Sequence, residues 1–267
     1  MILLGGIALI VVLALLFAVG RGGDDGATTT TQPAPSTTLT PTTTEPPLKE
    51  PATDRFVAAL AARDPEREEE LITATAPASP ARSYAEHQTA ARQILGSANP
   101  GSAARVGTDG YRICSIAASP EQAATCSTLE QFEVDADGLI TTFNIEGFAI
   151  ADRVVAGGPP VRVEGISVAA ASGYRSGASD SLTIVITVTN STDSDFELFP
   201  FAGSYQAPVG PAVSVINSWG TATVAPDETV ELLVQLDDAE LQGVLTLTGW
   251  SQTLEGLDFA VTVTHPA

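Results

Sequence analysis

The chain contains very few basic residues. Its 267 residues include 12 Lys and Arg against 32 Asp and Glu, so the formal net charge is −20, and lysine occurs only once, as Lys49. Nucleic acids and anionic lipid surfaces are bound through Lys and Arg that neutralise phosphate. The composition therefore disfavours nucleic acid as a partner. The acidic excess has a second interpretation, which is solubility, because a strong net charge keeps an exported protein dispersed.

Cysteine and histidine are also scarce, with two residues of each type. Two cysteines cannot form a four-ligand zinc site by themselves, and neither His87 nor His265 is near them in sequence. We therefore expect no metal and no cofactor. Because Cys114 and Cys126 lie in one local segment, they favour a single disulfide formed in an oxidising compartment, the alternative being two free buried thiols.

Catalytic motifs are missing as well. The run Gly173–Gly177 contains a serine but has the wrong spacing for a nucleophile elbow, and we interpret it as a turn between strands. No S-x-x-K motif and no phosphate-binding glycine loop occur. Asp193, Asp195 and Glu197 could contribute to a calcium site only if other loops converged on them, so we interpret them as solvated loop acids. The sequence therefore predicts no catalytic residues and no enzyme.

An uncharged segment of eighteen residues, Ile2–Val19, begins the sequence. A helix of this length just spans a bilayer, so residues 1–23 are predicted to be a transmembrane anchor. A cleaved signal segment is the alternative, with Ala18 and Gly20 as small residues before the cut. Arg21 follows the segment and no base precedes it, which opposes the expected orientation. The expected location is the cell membrane, single-pass, with the folded domains on the extracellular side.

Residues 24–52 are predicted to be a disordered stalk, because 16 of the 21 residues in Ala27–Pro47 are Thr, Ser or Pro. Folded structure is expected from Thr53, which we predict as the cap of a first helix. Asp64-Pro65 and Ser79-Pro80 are typical starts of two more helices. The third helix is expected to end at Gly96.

Two hairpins are predicted after these helices. The first turns at Ser119–Glu121, and if it is centred on position 120, facing residues have numbers that sum to 240. Cys114 and Cys126 satisfy this sum, so we expect them to form the disulfide, worth about 3 kcal/mol in the chain-entropy model. The second hairpin turns at Asp135–Gly138, and Leu139–Phe148 is its return strand.

Three helices followed by hairpins that end in the sequence FEVDADGLITTF, at 132–143, resemble the NTF2-like, cone-shaped α+β fold. The resemblance covers about 100 residues and implies a domain over 53–156. This sequence departs from the fold in one respect, because it shows no early strand between the helices. Members of that fold include isomerases, dehydratases and non-catalytic assembly modules. The resemblance implies a ligand site inside the cone, where Tyr84 and His87 would share one helix face. The alternative is that this face simply packs on a sheet.

The Gly- and Pro-rich run Ala156–Pro160 predicts a domain boundary, and from Val161 onward the pattern is all-β. About seven short alternating strands over 157–267 indicate a two-sheet sandwich. The segments Val188–Thr192 and Val224–Val230 resemble turns of the immunoglobulin-like domains of membrane-anchored bacterial surface proteins. Within them Asn190 is expected to be a turn residue rather than a glycosylation acceptor.

Together these patterns predict a membrane-anchored, exported protein with an NTF2-like domain and an immunoglobulin-like sandwich. We expect a non-catalytic binding or scaffolding module at the bacterial cell envelope, with an envelope protein or a cell-wall polymer as its partner. The alternative is a carrier of small apolar ligands, or an isomerase-like enzyme, that uses Tyr84 and His87. Sugar recognition is a further possibility, and it requires an exposed Trp219 or Trp250.

Overall fold

The computed structural model describes residues 51–62, 64, 67–96, 101–106, 110–115, 126–251 and 256–264. Residues 48–267 belong to one compact unit. The predicted fold class is wrong, because these described residues are mostly strand, with three short helices and two antiparallel sheets. Both Ile2–Val19 and the predicted stalk up to residue 50 lie outside the described residues. No helix in the described part is long and apolar enough to cross a bilayer.

The three helices are Ala52–Ala62 (α1), Glu68–Thr73 (α2) and Pro80–Leu95 (α3). The predicted start of α3 is confirmed, because the Ser79 hydroxyl accepts a hydrogen bond from the Arg82 amide at 3.1 Å and Pro80 occupies the first helical position. Gly96 ends α3 with a φ of 72°, which a residue without a side chain adopts easily. By contrast, α1 begins before Thr53 and α2 begins after Asp64-Pro65.

The smaller sheet is an antiparallel meander whose strand order follows the sequence. Its strands are Gly101–Val106 (β1), Gly110–Ser115 (β2), Cys126–Val134 (β3), Ile140–Ile145 (β4) and Phe148–Ala149 (β5). The predicted register of the first hairpin is confirmed: Cys114 faces Cys126, their Cα atoms are 3.9 Å apart, and the disulfide is formed. Its predicted turn, Ser119–Glu121, lies outside the described residues.

The turn at Asp135–Gly138 is also confirmed. The Gly138 amide donates to the Asp135 carbonyl at 3.0 Å, and the Asp135 carboxylate accepts from the backbone amide of Leu139 at 2.9 Å. An Asp side chain that bonds its own turn in this way fixes the hairpin locally.

The space between the helices and the small sheet is filled by aromatic rings. The Phe143 ring lies 5.4 Å from Phe56, 5.5 Å from Tyr84 and 5.1 Å from Phe132, measured between centroids. Phe56 and Phe143 are completely buried. The predicted NTF2-like cone is therefore wrong. Aromatic rings fill the space that the cone would enclose, and the small sheet is a simple meander under short helices.

The larger sheet closes on itself, so the predicted two-sheet, immunoglobulin-like sandwich is wrong. Eight strands follow one another around it in the order β11, β13, β9, β8, β6, β15, β14, β10, and β10 pairs with β11. Two short strands, β7 and β12, pair with β8 and β10. The strands are Val154–Gly157 (β6), Val161–Val163 (β7), Ile166–Arg175 (β8), Ser181–Asn190 (β9), Phe196–Gln206 (β10), Val213–Gly220 (β11), Thr223–Val224 (β12), Thr229–Asp237 (β13), Gly243–Ser251 (β14) and Leu257–Thr264 (β15).

Alternate side chains of the large sheet point inward and form its core. The Phe196 and Phe259 rings meet edge to face at 5.8 Å, and Tyr205 is fully buried in the same core. Gly249 makes room for the Phe196 ring, since a Cβ atom at this position would lie 2.2 Å from it. The buried Asn190 amide donates to the carbonyls of Ser194 and Val224, which agrees with its prediction as a turn residue.

Candidate functional site

Helix α3 covers one part of the outer surface of the large sheet. Ala91 on α3 packs against Val185 of β9 and Leu233 of β13, with Ile94 and Trp219 at the edge of this small cluster. Trp219 is therefore half-buried beneath a helix rather than presented to solvent.

Tyr84 and His87 share one face of α3, as their spacing predicted, and this face packs on the sheet. Tyr84 is 7% exposed, and its ring lies between Phe143 and Tyr174, with centroid distances of 5.5 and 5.1 Å. His87 is 1% exposed. The structure thus brings the two predicted site residues together at a packed interface and not around a cavity of the small sheet.

The His87 ring bridges two strands through hydroxyl groups. Its Nδ1 lies 3.2 Å from the Ser172 hydroxyl of β8, and its Nε2 lies 3.0 Å from the Thr183 hydroxyl of β9. Thr183 donates its own proton to the Tyr174 carbonyl at 3.1 Å, so it can only accept from His87. This assigns the proton to Nε2, and Nδ1 then accepts from Ser172.

Burial lowers the pKa of His87 from 6.5 to about 4, because the low-dielectric surroundings disfavour the imidazolium. Burial also raises the pKa of the neighbouring Tyr174 to about 12. Both groups are therefore neutral near pH 7. Their arrangement fixes α3 on β8 and β9 but places no exposed acid or base at a surface where a substrate could bind.

A different part of the large sheet, on β10, β14 and β15, presents its outer surface to solvent. We call it the outer face. In these strands most inward residues are buried, while the intervening residues are exposed or half-buried. The outer face comprises Glu197, Phe199, Phe201, Ser204, Gln206, Val244, Thr246, Thr248, Trp250, Asp258, Ala260 and Thr262.

Large apolar side chains are exposed on this outer face. Phe201 is 64% exposed, Trp250 is 43% exposed and Val244 is 37% exposed. Phe199 is half-buried beside them. Scattered single apolar residues are normal on protein surfaces, and a group of them on neighbouring strands makes this face a candidate interaction site. The exposed Trp250 is one of the two tryptophans that the sequence singled out.

The β-pairing register arranges the outer face in rows across the strands. Trp250 faces Glu197 on β10. Thr248 lies between Phe199 and Asp258, and its hydroxyl donates to the Asp258 carboxylate at 2.7 Å. Aromatic, hydroxyl and carboxylate groups thus lie on adjacent strands.

A groove of about 600 Å³ lies at the other end of the same face. Gln206, Val244 and Thr262, which face one another across the three strands, form part of its lining. The loop after β10 borders it through Pro208. The outer face therefore combines exposed aromatic side chains at one end with a depression at the other.

Several of these residues were not singled out by sequence reasoning. Phe199 and Phe201 belong to no motif that the sequence offers, and the irregular register between Phe199 and Ser204 leaves both on the surface side. Asp193 and Asp195 are exposed loop acids, as predicted, whereas Glu197 is exposed but lies in β10 and not in a loop. Within the described ranges no three acidic, histidine or cysteine residues are grouped closely enough to hold a metal ion.

No family model matches this chain, and no curated protein is detectably similar to it.

Proposed function

We propose that this protein is a non-catalytic binding module that uses the outer face to hold a partner. The observation that carries the proposal is the contrast between the two parts of the closed sheet: α3 covers one part, while the other exposes Phe201, Trp250 and Val244. Burial of exposed apolar surface is a main driving force of protein association. The uncovered part thus offers apolar surface that a partner can bury.

The packing of the helices argues against the alternative of a small-molecule site. Aromatic rings fill the space between the helices and the small sheet, and the Tyr84 ring is part of that packing. His87 is neutral and buried, with both ring nitrogens engaged. A general base must reach its substrate within hydrogen-bonding distance, and His87 has no such access in this fold.

The disulfide supports an extracytoplasmic location. Cys114 and Cys126 are joined, and disulfides persist in oxidising compartments, while the cytosol keeps thiols reduced. We therefore propose the cell envelope as the location of the binding role, with an envelope protein or a wall polymer as the partner.

Site-specific photo-crosslinking in intact cells tests this proposal. A benzophenone amino acid at Thr246, in the middle of the outer face, should give a discrete adduct, and the added substitution Trp250→Ala should remove it. The matched control places the same group at Glu133, an exposed residue of the small sheet. Equal adducts from both positions, or none from Thr246, would contradict the proposal. So would turnover of an envelope substrate by the purified protein.

A further inference from the structure

We infer that the partner held by the outer face is a basic polypeptide segment, one that in extended form carries Arg or Lys side chains and apolar side chains on the same side. This inference rests on the proposed function and names the class of partner. It follows from the charge of the strands that build the face and from the positions of its aromatic and carboxylate groups.

The charge distribution along the chain is strongly uneven. From Ser176 to the end of the sequence there is no Lys or Arg, although this region contains twelve acidic residues. The strands β9 to β15 lie in this region, so all three strands of the outer face are free of basic side chains. The acidic residues are Asp180, Asp193, Asp195, Glu197, Asp227, Glu228, Glu231, Asp237, Asp238, Glu240, Glu255 and Asp258.

This uneven distribution favours a partner with positive charge. A surface with one sign of charge attracts the opposite sign over a Debye length of about 8 Å at physiological salt, and it repels the same sign. Nucleic acids, acidic wall polymers and anionic lipids would be repelled. A basic segment would be attracted, and it would also be oriented, because the exposed carboxylates Glu197 and Asp258 lie on the face itself.

The geometry around Trp250 fits a guanidinium or ammonium group. Trp250 and Glu197 face each other across β10 and β14, and such facing residues have Cβ atoms about 4.5–5.5 Å apart. A cation within about 6 Å of an indole ring gains from its electron-rich face, and a nearby carboxylate adds an ion pair. Exposed tryptophan with a facing glutamate therefore offers two complementary contacts to one Arg side chain.

The length of the face suits an extended chain. Val244 and Trp250 are six residues apart on β14, which corresponds to about 20 Å along the strand. A bound segment of about six residues spans that distance. Its apolar side chains can contact Phe201 and Val244, and the groove beside Gln206 and Thr262 can receive its end.

A polysaccharide is the other polymer that exposed tryptophan could bind. A neutral sugar chain would gain from stacking on Trp250. Because it carries no charge, its binding would not be strengthened by the acidic excess over Ser176–Ala267, where basic residues are absent. The charge pattern accordingly favours the basic peptide, and the sugar becomes an outcome of the test.

The test measures binding of defined probes to the full-length protein with its disulfide intact. The first probe is a labelled 12-residue peptide in which every second residue is Ser and the residues between are alternately Arg and Leu, so that both types project from one side of the extended chain. The second replaces every Arg by citrulline, which keeps the shape but removes the charge. The third is an uncharged hexasaccharide of β-1,4-linked glucose. Binding is measured by fluorescence anisotropy for the peptides and by calorimetry for the sugar.

We expect the Arg peptide to bind more tightly than the citrulline peptide by at least tenfold, and to weaken at least fivefold when salt rises from 50 to 500 mM. Trp250→Ala should weaken binding about tenfold, and Glu197→Gln and Asp258→Asn about threefold each. Val134→Ala and Glu231→Gln remove an exposed apolar and an exposed acidic side chain elsewhere and should leave binding unchanged. Thermal unfolding of each variant checks that it is folded.

Equal binding of the two peptides, or insensitivity to Trp250→Ala, would overturn the inference. Binding of the hexasaccharide through Trp250 without binding of the Arg peptide would overturn it too, but would leave the proposed function standing. If no probe binds, the inference fails, and the crosslinking at Thr246 still decides the proposed function independently.

Discussion

His87 makes the stability of this fold depend on pH. At neutral pH its Nδ1 accepts from Ser172 and its Nε2 donates to Thr183. A second proton turns Nδ1 into a donor, so the Ser172 hydroxyl must rotate and become the acceptor of this hydrogen bond. The protonated ring also buries a positive charge, because His87 is only 1% exposed. The neighbouring Tyr174 stays neutral throughout, because burial raises its pKa to about 12. We therefore expect acid to loosen the contact between α3 and the sheet.

The magnitude follows from the two pKa values of His87. The value is 6.5 in the unfolded chain and about 4 in the folded one, so the unfolded state binds more protons between these pH values. Stability then rises with pH across this window and is lost as the pH falls. Between pH 7.5 and 5 the loss is about 2 kcal/mol, and below pH 4 it approaches about 3 kcal/mol.

Urea unfolding at pH 7.5, 6 and 5 measures this dependence. A Trp250→Phe background leaves Trp219, beneath α3, as the single fluorescent reporter. In that background we compare His87 with His87→Gln. The variant should be less stable at pH 7.5 by about 1–3 kcal/mol, because buried hydroxyls lose partners. Its free energy of unfolding should fall by about 2 kcal/mol less than that of the parent on going to pH 5, since other titrating groups act equally in both.

The control is His265→Gln, which changes the second histidine and leaves His87 in place. Parallel stability curves for His87 and His87→Gln would refute the reasoning. A titration of the His87 ring near 6.5 by NMR would refute it as well, because the argument requires a neutral ring with its proton on Nε2 down to about pH 5.

Three further predictions concern stability. Arg92 donates to the Leu60 carbonyl at 2.8 Å near the end of α1, so Arg92→Met should cost about 2 kcal/mol, and an unchanged urea midpoint would contradict this role. Gly249→Ala places a methyl group against the Phe196 ring and should cost about 3 kcal/mol through overpacking, whereas a neutral effect on thermal unfolding would show that the ring can move. Cys114→Ser should cost about 3 kcal/mol, and a reductant should destabilise the parent by a similar amount without affecting the variant.

Features that depend on near neighbours in the sequence could be predicted. The pairing of Cys114 with Cys126 follows from the centre of a short hairpin. The cap at Ser79 and the turn at Asp135 each require only side chains within four residues. In these cases the local chain has few alternatives, so the residue types are sufficient.

Closure of the large sheet could not be predicted in this way. Alternation of apolar and polar residues in β9, β13 and β14 is the same whether two sheets stack or one sheet closes, since either arrangement buries every second side chain. The deciding contacts are long-range, such as the pairing of β6 with β15. Likewise, the spacing of Tyr84 and His87 predicted a shared face of α3, but only the placement of β8 and β9 determines what covers that face.

The outer face could be predicted from the sequence only in part. Trp250 could be named in advance as a residue whose exposure would decide between functions. Phe199 and Phe201 could not, because the register between β10 and β14 shifts after Phe199, and strict alternation does not describe such a strand. The absence of basic residues after Arg175 could be read from the sequence. Its effect on binding depends on which strands share a surface, and only the structure gives that.

Two of the strand pairings that close the large sheet are short. The β6–β15 and β10–β11 pairings each contain two residue pairs, Gly157 with Val263 being one and Ser204 with Ser214 another. By comparison, β9 and β13 are joined by nine. The strands that carry the outer face are therefore joined to the rest of the closed sheet by few residue pairs at each side. Amide protons near Val263 and Ser214 should exchange with deuterated water sooner than those of the β9–β13 pairing.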